Sequence, residues 1–158
     1  MAAPEVPSEI SAARFQRPIL KARGVGAQIY TCRANPGQAG DAASYGWVLK
    51  APAASLLDER GATIGRHYEG PTWELNDGSK VVGLAQASVA APGGDAIPWL
   101  RLAVVRNGGA GALAAVRAVQ RVETVGGKAP AAGCDAGAQD TEVRVAYEAT
   151  YYFYVDTA

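Results

Sequence analysis

The sequence predicts an all-β fold, a single antiparallel β-sandwich or β-barrel domain with little helix. Val143 to Val155 alternate between two faces as a strand does. Asp58–Gly61 and Asn76–Ser79 are two similar turn signals between apolar runs, a pattern typical of β-hairpins. Many short strands with turn residues between them indicate an antiparallel sandwich or barrel.

The stretch between these turns predicts a short antiparallel meander. Gly65, His67 and Glu69 share one face of its first strand. Gly70-Pro71 interrupts the pairing, because proline has no N–H to donate to it. Trp73 and Leu75 share a face of the next strand. The only histidine of the chain therefore lies in a hairpin that also carries one of its three tryptophans.

Other segments predict further strands and loops. In Leu84 to Ala90, small residues on both faces predict a strand that is closely covered on both sides. Leu113 to Val125 fits a helix by its spacing of three and a strand by period 2, so periodicity alone leaves both open. The remaining strands are expected at Val25–Cys32, at Tyr45–Ala51 with an end at Pro52, and at Leu100–Arg106, with a loop at Asn35–Asp41.

Length and charge limit the organisation and the partners. The 158 residues fit an extended N-terminal arm (1–18) and one β domain (19–158). The 15 acidic and 15 basic residues balance, and no basic run follows a phosphate backbone, so no nucleic-acid partner is expected. No apolar run approaches the length of a membrane span, so no membrane insertion is expected.

Two features predict a secreted or periplasmic protein. Residues 2–5, Ala-Ala-Pro-Glu, resemble the start of a mature secreted chain from which a signal peptide has been removed. Cys32 and Cys134 are the only cysteines, and we expect them to form a disulfide. Cys134 lies in a loop rich in glycine and alanine, which has little apolar surface to anchor it. Two buried free thiols are the alternative.

The residues with chemical potential form no recognisable catalytic set. Gly109-x-Gly111-x-x-Ala114 is similar to a dinucleotide fingerprint, but the several βαβ units that such a fold needs are missing, which favours a hairpin loop. His67 has no cysteine or second histidine nearby, so a hydrogen-bonded structural histidine is favoured over a metal ligand. No metal site and no cofactor are expected.

The aromatic residues are more suggestive of binding. Tyr151 to Tyr154 are consecutive aromatics, so two of the rings point away from the core face. An outward aromatic platform is one way to hold a sugar or another flat ligand. The alternatives are burial of both faces or coverage by a second copy. The candidate ligand-binding residues are Tyr68, Trp73, Trp99, Tyr152 and Tyr154.

Several motifs in fixed order resemble a family of secreted bacterial and fungal proteins of unknown function. They are Gly26–Cys32, Ile64–Glu74 with Asp77–Ser79, Ile97–Leu100, Gln120–Thr124 with Gly126-Gly127, and Gly133–Asp135. The resemblance implies an exported, mostly β domain, pairs Cys32 with Cys134, and favours a strand before Gln120. Fungal members are often labelled malate dehydrogenase, a label that the sequence does not support because it lacks a nucleotide-binding architecture.

Three hypotheses for function follow. The leading one is an exported β domain that binds a glycan or another component of the cell envelope. The second is an enzyme, with or without a metal, whose candidate catalytic residues are His67, Glu69, Glu74 and Arg121. The third is a structural or self-associating protein, for which an oligomer is expected.

Overall fold

The alternating segments of the sequence form the wall of a closed barrel. A computed structural model describes residues 1–35 and 44–157. In them each strand pairs antiparallel with its neighbours in the sequence, and the first strand pairs with the last. The prediction of an all-β fold is confirmed. The strands are β1 Gln16–Ala34, β2 Tyr45–Leu57, β3 Thr63–Tyr68, β4 Thr72–Leu75, β5 Lys80–Val89, β6 Trp99–Gly108, β7 Val116–Gly126 and β8 Glu142–Asp156, with 3₁₀ turns at Ser8–Ile10 and Ala136–Ala138.

The two longest strands close the barrel and carry much of its core. β1 and β8 pair from Gln16 opposite Asp156 to Thr31 opposite Glu142. The inner face of β8 is the one predicted from its alternation, and Gly24 of β1 leaves room for the Tyr151 ring, which a Cβ there would approach to 2.6 Å. The interior cluster includes Leu56, Trp73, Leu75, Val81, Leu102, Val119, Tyr147, Tyr151 and Phe153.

The two predicted turns connect the short strands of the meander. Asp58 accepts hydrogen bonds from the backbone N–H groups of Arg60 and Ala62, both at 2.9 Å. Asp77 accepts one from the N–H of Ser79 at 2.8 Å, and Gly78 has a φ of 91°, a conformation that favours glycine. These local bonds explain why the turn signals could be read from the sequence.

Two segments differ from the sequence-based predictions, and a third resolves an alternative that the sequence left open. The predicted end of β2 at Pro52 is wrong, because the strand continues to Leu57. β3 pairs with β2 only from Ala54 onward, so at Pro52 the strand has a neighbour on one side only among the described residues, and such an edge position tolerates proline. The predicted coverage of Leu84 is also wrong, since its side chain is 61% exposed. The ambiguous segment is a strand from Val116.

The N-terminal residues pack on the outer face of the barrel. Ile10 is fully buried, and its carbonyl accepts a hydrogen bond of 2.8 Å from Gln120 Nε2. The Tyr154 hydroxyl donates to Gln120 Oε1 at 2.5 Å. A second apolar cluster on this face joins Ile10 to Val122, Tyr152 and Tyr154. The chain thus has an apolar layer outside the barrel as well as within it.

The loop predicted at Asn35–Asp41 lies, apart from Asn35, outside the described residues. In the described ranges, no helix is long and apolar enough to cross a bilayer.

A disulfide joins Cys32 to Cys134, as predicted. It fixes the segment between β7 and β8 against the end of β1. Backbone bonds of 2.9 Å from Cys32 N to Thr141 O and from Asp140 N to Cys32 O continue the same contact. Trp47 Nε1 also donates to Ala132 O at 3.0 Å. The disulfide is therefore the covalent part of a larger attachment.

We predict that reduction of this disulfide lowers the free energy of unfolding. The two cysteines are 102 positions apart, and closing a loop of that length stabilises a protein by up to about 4.7 kcal/mol in the chain-entropy model. Urea unfolding with and without a phosphine reductant measures the loss. The Cys32→Ala/Cys134→Ala double variant is the control, because the reductant should leave it unchanged. Equal stability of oxidised and reduced wild-type protein would contradict the prediction.

Candidate functional site

The short hairpin of β3 and β4 leaves an opening in the barrel wall. β3 pairs with β2 only from Ala54 onward, and β4 pairs with β5 only as far as Val82. Beyond these points, β2 and β5 have no further strand partner on that side in the described part of the chain. The Gly70-Pro71 turn lies at the same level. The barrel is therefore entered from its side, through a window between β2 and β5.

A cavity of about 350 Å³ lies behind this window. This volume is at the lower end of the range for small-molecule sites. Most of its wall is apolar, but it also contains several polar groups. It is lined by Gln28, Leu49, Lys50, Ala51, Pro52, His67, Gly70, Pro71, Trp73, Gly83, Leu84, Ala85, Leu100, Leu102, Arg121 and Tyr151.

Stacked aromatic rings form the floor of the cavity. His67 and Trp73 face each other across β3 and β4, with ring centroids 4.4 Å apart and planes 17° from parallel. Tyr151 of β8 packs against both, with centroids 5.1 Å from His67 and 5.5 Å from Trp73. Gly83 makes room for the indole, because a Cβ there would lie 3.0 Å from the Trp73 ring. The floor is preformed and tightly packed.

His67 is neutral, and its two ring nitrogens have different roles, one as a hydrogen-bond donor and the other as an acceptor. Its Nδ1 donates to the carbonyl oxygen of Thr72 at 2.8 Å, because a carbonyl can only accept, and this fixes the tautomer. Burial lowers the pKa of His67 to about 3. Nε2 therefore carries a lone pair, and it has no hydrogen-bond partner in the described ranges. The structural histidine expected from the sequence is also part of the cavity wall.

Two further polar groups of the cavity wall lack a partner. Trp73 is 1% exposed and Gln28 is 3% exposed. Trp73 Nε1 and Gln28 Oε1 are both buried without a hydrogen bond to any described residue. Leaving such a group unpaired costs about 1–3 kcal/mol. One of these groups is a donor and the other an acceptor.

Arg121 brings a positive charge to the same wall. It lies on β7 opposite Leu100 of β6 and Tyr151 of β8. Its Nε and Nη2 donate to Pro98 O at 3.0 and 2.8 Å. Burial lowers its pKa, but arginine remains charged in proteins. No carboxylate of the described chain lies within ion-pair distance of it.

The tyrosines near Arg121 are neutral. The hydroxyls of Tyr147 and Tyr151 are hydrogen-bonded to each other at 3.0 Å. Burial raises the pKa of both phenols. They therefore provide dipoles and no negative charge at neutral pH.

The structure separates the candidate catalytic residues. Arg66 faces Glu74 across β3 and β4, and His67 faces Trp73, so His67 and Glu74 lie on opposite faces of the sheet. The Tyr68 hydroxyl donates to Glu74 at 2.6 Å and holds the pKa of that carboxyl below its usual value. Glu69 is exposed in the turn after β3. Of the candidates, His67, Trp73 and Arg121 meet in the cavity.

The other aromatic candidates lie on the outer face of the barrel. Tyr152 is 7% exposed, and Tyr154 is fully buried beneath the N-terminal residues. Trp99 is half-buried against the same cluster. This arrangement matches the alternative in which both faces of β8 are buried. The expected outward platform is thus covered by the protein's own chain at Tyr152 and Tyr154.

The sequence predictions missed Gln28 and the aliphatic mouth of the cavity. Gln28 shares its face with Tyr30 and Cys32, which are both buried. A glutamine in that row was an available signal, because a polar residue on a buried face needs a partner. Leu49 and Ala85 gave no signal, since their place depends on which strand segments lack a neighbour. No group of three or more His, Cys, Asp or Glu side chains suited to a metal ion occurs within the described ranges.

We predict that His67 makes the protein less stable as the pH falls below 6.5. Its folded-state pKa of about 3 is below the ordinary value of 6.5, so between these values only the unfolded state takes up the proton. Such a group costs about 1.4 kcal/mol of stability per pH unit. Asparagine keeps a donor for Thr72 O without titrating. The stability advantage of wild type over His67→Asn should therefore shrink by roughly 2 kcal/mol between pH 6 and pH 4.

Urea unfolding of both proteins at several pH values checks this, because the carboxylates common to the two cancel in the difference. A difference that stays constant from pH 6 to pH 4 would contradict a neutral, buried His67.

Comparison with known proteins identifies the family of this chain. Searches of curated proteins and of solved structures found no match. Residues 13–155 match a family described as a protein of unknown function, DUF3455. This range contains all eight strands except the last residue of β8, together with the disulfide and the cavity. The chain therefore belongs to the DUF3455 family of proteins of unknown function.

Proposed function

We propose that this protein is an exported binding protein that holds one small molecule in the barrel cavity. The observation that carries the proposal is the pair of buried polar groups, Trp73 Nε1 and Gln28 Oε1, which line the cavity without a protein partner. A ligand that accepts from one and donates to the other would offset the cost of burying them.

The geometry supports binding more than acid–base catalysis. With a pKa of about 3, His67 does not exchange a proton near neutral pH. No aspartate or glutamate of the described chain lines the cavity. A rigid floor and a few fixed polar groups on an apolar wall are typical of a binding site.

The cavity also supports the proposal better than the outer face does. A glycan bound to an aromatic platform needs exposed rings, whereas Tyr152 and Tyr154 are buried. Eight-stranded barrels are just wide enough to be filled by side chains or to hold one small ligand. Export is part of the proposal, because a disulfide persists in an oxidising compartment.

We predict that the wild-type protein binds the neutral fluorescent probe N-phenyl-1-naphthylamine with one-to-one stoichiometry. The Ala85→Trp variant should bind the probe about tenfold or more weakly, and tenfold is equivalent to about 1.4 kcal/mol. Ala85 is exposed at the mouth of the cavity, so an indole there narrows the window. Fluorescence titration measures the affinity.

Ala90→Trp is the matched control, because Ala90 is exposed just beyond β5 and does not line the cavity. Circular dichroism checks that both variants fold. Absence of probe binding to wild type, or equal binding by the folded Ala85 and Ala90 variants, would contradict the cavity as the site.

A further inference from the structure

Arg121 provides a positive charge in the cavity wall that the protein does not neutralise. The other cation of the wall, Lys50, is paired with Glu142 at 2.6 Å. Arg121 has no such partner in the described ranges. Its hydrogen-bonding contacts are with neutral groups, the Pro98 carbonyl and the Tyr151 hydroxyl. Its Nη1 therefore has no carboxylate or backbone partner there. A half-buried charge of this kind is best stabilised by an opposite charge.

The other polar groups near Arg121 are neutral. They therefore do not change the amount of negative charge that a ligand needs to balance Arg121. His67, Trp73, Gln28 and Tyr151 offer hydrogen bonds and no formal charge. The wall thus carries one unpaired positive charge. A group with a single negative charge balances it, whereas a dianion would leave excess negative charge in a partly desolvated site. A carboxylate also matches the planar fork of a guanidinium.

The mouth of the cavity is apolar. Leu49 and Leu84 line it on opposite sides of the window and remain 49% and 61% exposed. Pro52 and Pro71 complete the apolar border. Exposed leucines at the entrance of a cavity provide a surface for an apolar part of a ligand that extends toward solvent.

We infer that the ligand is a small amphipathic carboxylate, with its anionic group at Arg121 and its apolar part against Leu49 and Leu84 at the window. This inference rests on the proposed function, because it assigns a chemical class to the occupant of the same cavity. The two ends of the ligand are set by features that are independent of each other, an unpaired charge inside and aliphatic side chains at the entrance.

The test compares three ligands of equal chain length, octanoate, octanol and octylamine, by displacement of N-phenyl-1-naphthylamine and by calorimetry. We expect wild type to bind octanoate more tightly than octanol by about tenfold, or 1.4 kcal/mol, and octylamine most weakly. Arg121→Gln should remove the preference for octanoate while octanol affinity stays within about twofold. Arg121→Lys should keep the preference, because it keeps the charge.

Arg117→Gln is the matched control, because Arg117 is an exposed arginine of the same strand that is bonded to Asn107 Oδ1. It should bind all three ligands as wild type does. Octanol binding by Arg121→Gln shows that the variant is folded. If that variant does not fold, the order of the three affinities in wild type decides the matter.

The outcomes separate the two proposals. Equal affinity of wild type for octanoate and octanol, or equal losses for both in Arg121→Gln, would overturn the carboxylate while leaving the cavity as a binding site. Failure of the probe and of all three ligands to bind would overturn the proposed function and this inference together.

Discussion

The pairing of β1 with β8 closes the barrel, and the unequal length of the other strands decides where it stays open. β1 has 19 residues and β8 has 15, whereas β3 has 6 and β4 has 4. The height of the barrel wall at each point is set by the length of the strands there, so the wall is lowest at β3 and β4. The long strands extend past the β3–β4 hairpin and leave β2 and β5 without a neighbour on that side. The window and the cavity behind it follow from this difference in length.

Along three inward-facing rows of the barrel, apolar side chains are followed by side chains that carry a polar atom. Val119, Phe153 and Leu75 are apolar, and two residues away on the same strands lie Arg121, Tyr151 and Trp73. Side chains two apart share a face of a strand, so the change marks a boundary across the barrel. On one side the barrel has an apolar core that stabilises the fold. On the other side, polar groups cost stability unless they are paired, which is why we propose that they contact a ligand.

The fold was readable from the sequence because its signals are local. The alternation of Val143–Val155 and the turns at Asp58 and Asn76 depend on residues close in the chain. The site was readable only in part. His67 and Trp73 come from one predicted hairpin, but the position of Arg121 beside Tyr151 depends on the register of β7 against β8. That register includes two shifts, between Val116 and Ala118 and between Val122 and Val125, which alternation alone does not reveal.

The consecutive aromatics of β8 illustrate how a correct pattern supports more than one structure. Alternation places Tyr152 and Tyr154 outside the barrel, and an outward aromatic row suggests a ligand. Here the chain itself covers these rings, and hydrogen bonds link the Tyr154 hydroxyl through Gln120 to the carbonyl of Ile10. The Tyr154 hydroxyl in that row therefore has its partner from the protein. In the cavity, Trp73 and Gln28 are equally buried and lack such partners. The presence of consecutive aromatic rings therefore does not by itself distinguish a binding surface from a packed one in this barrel.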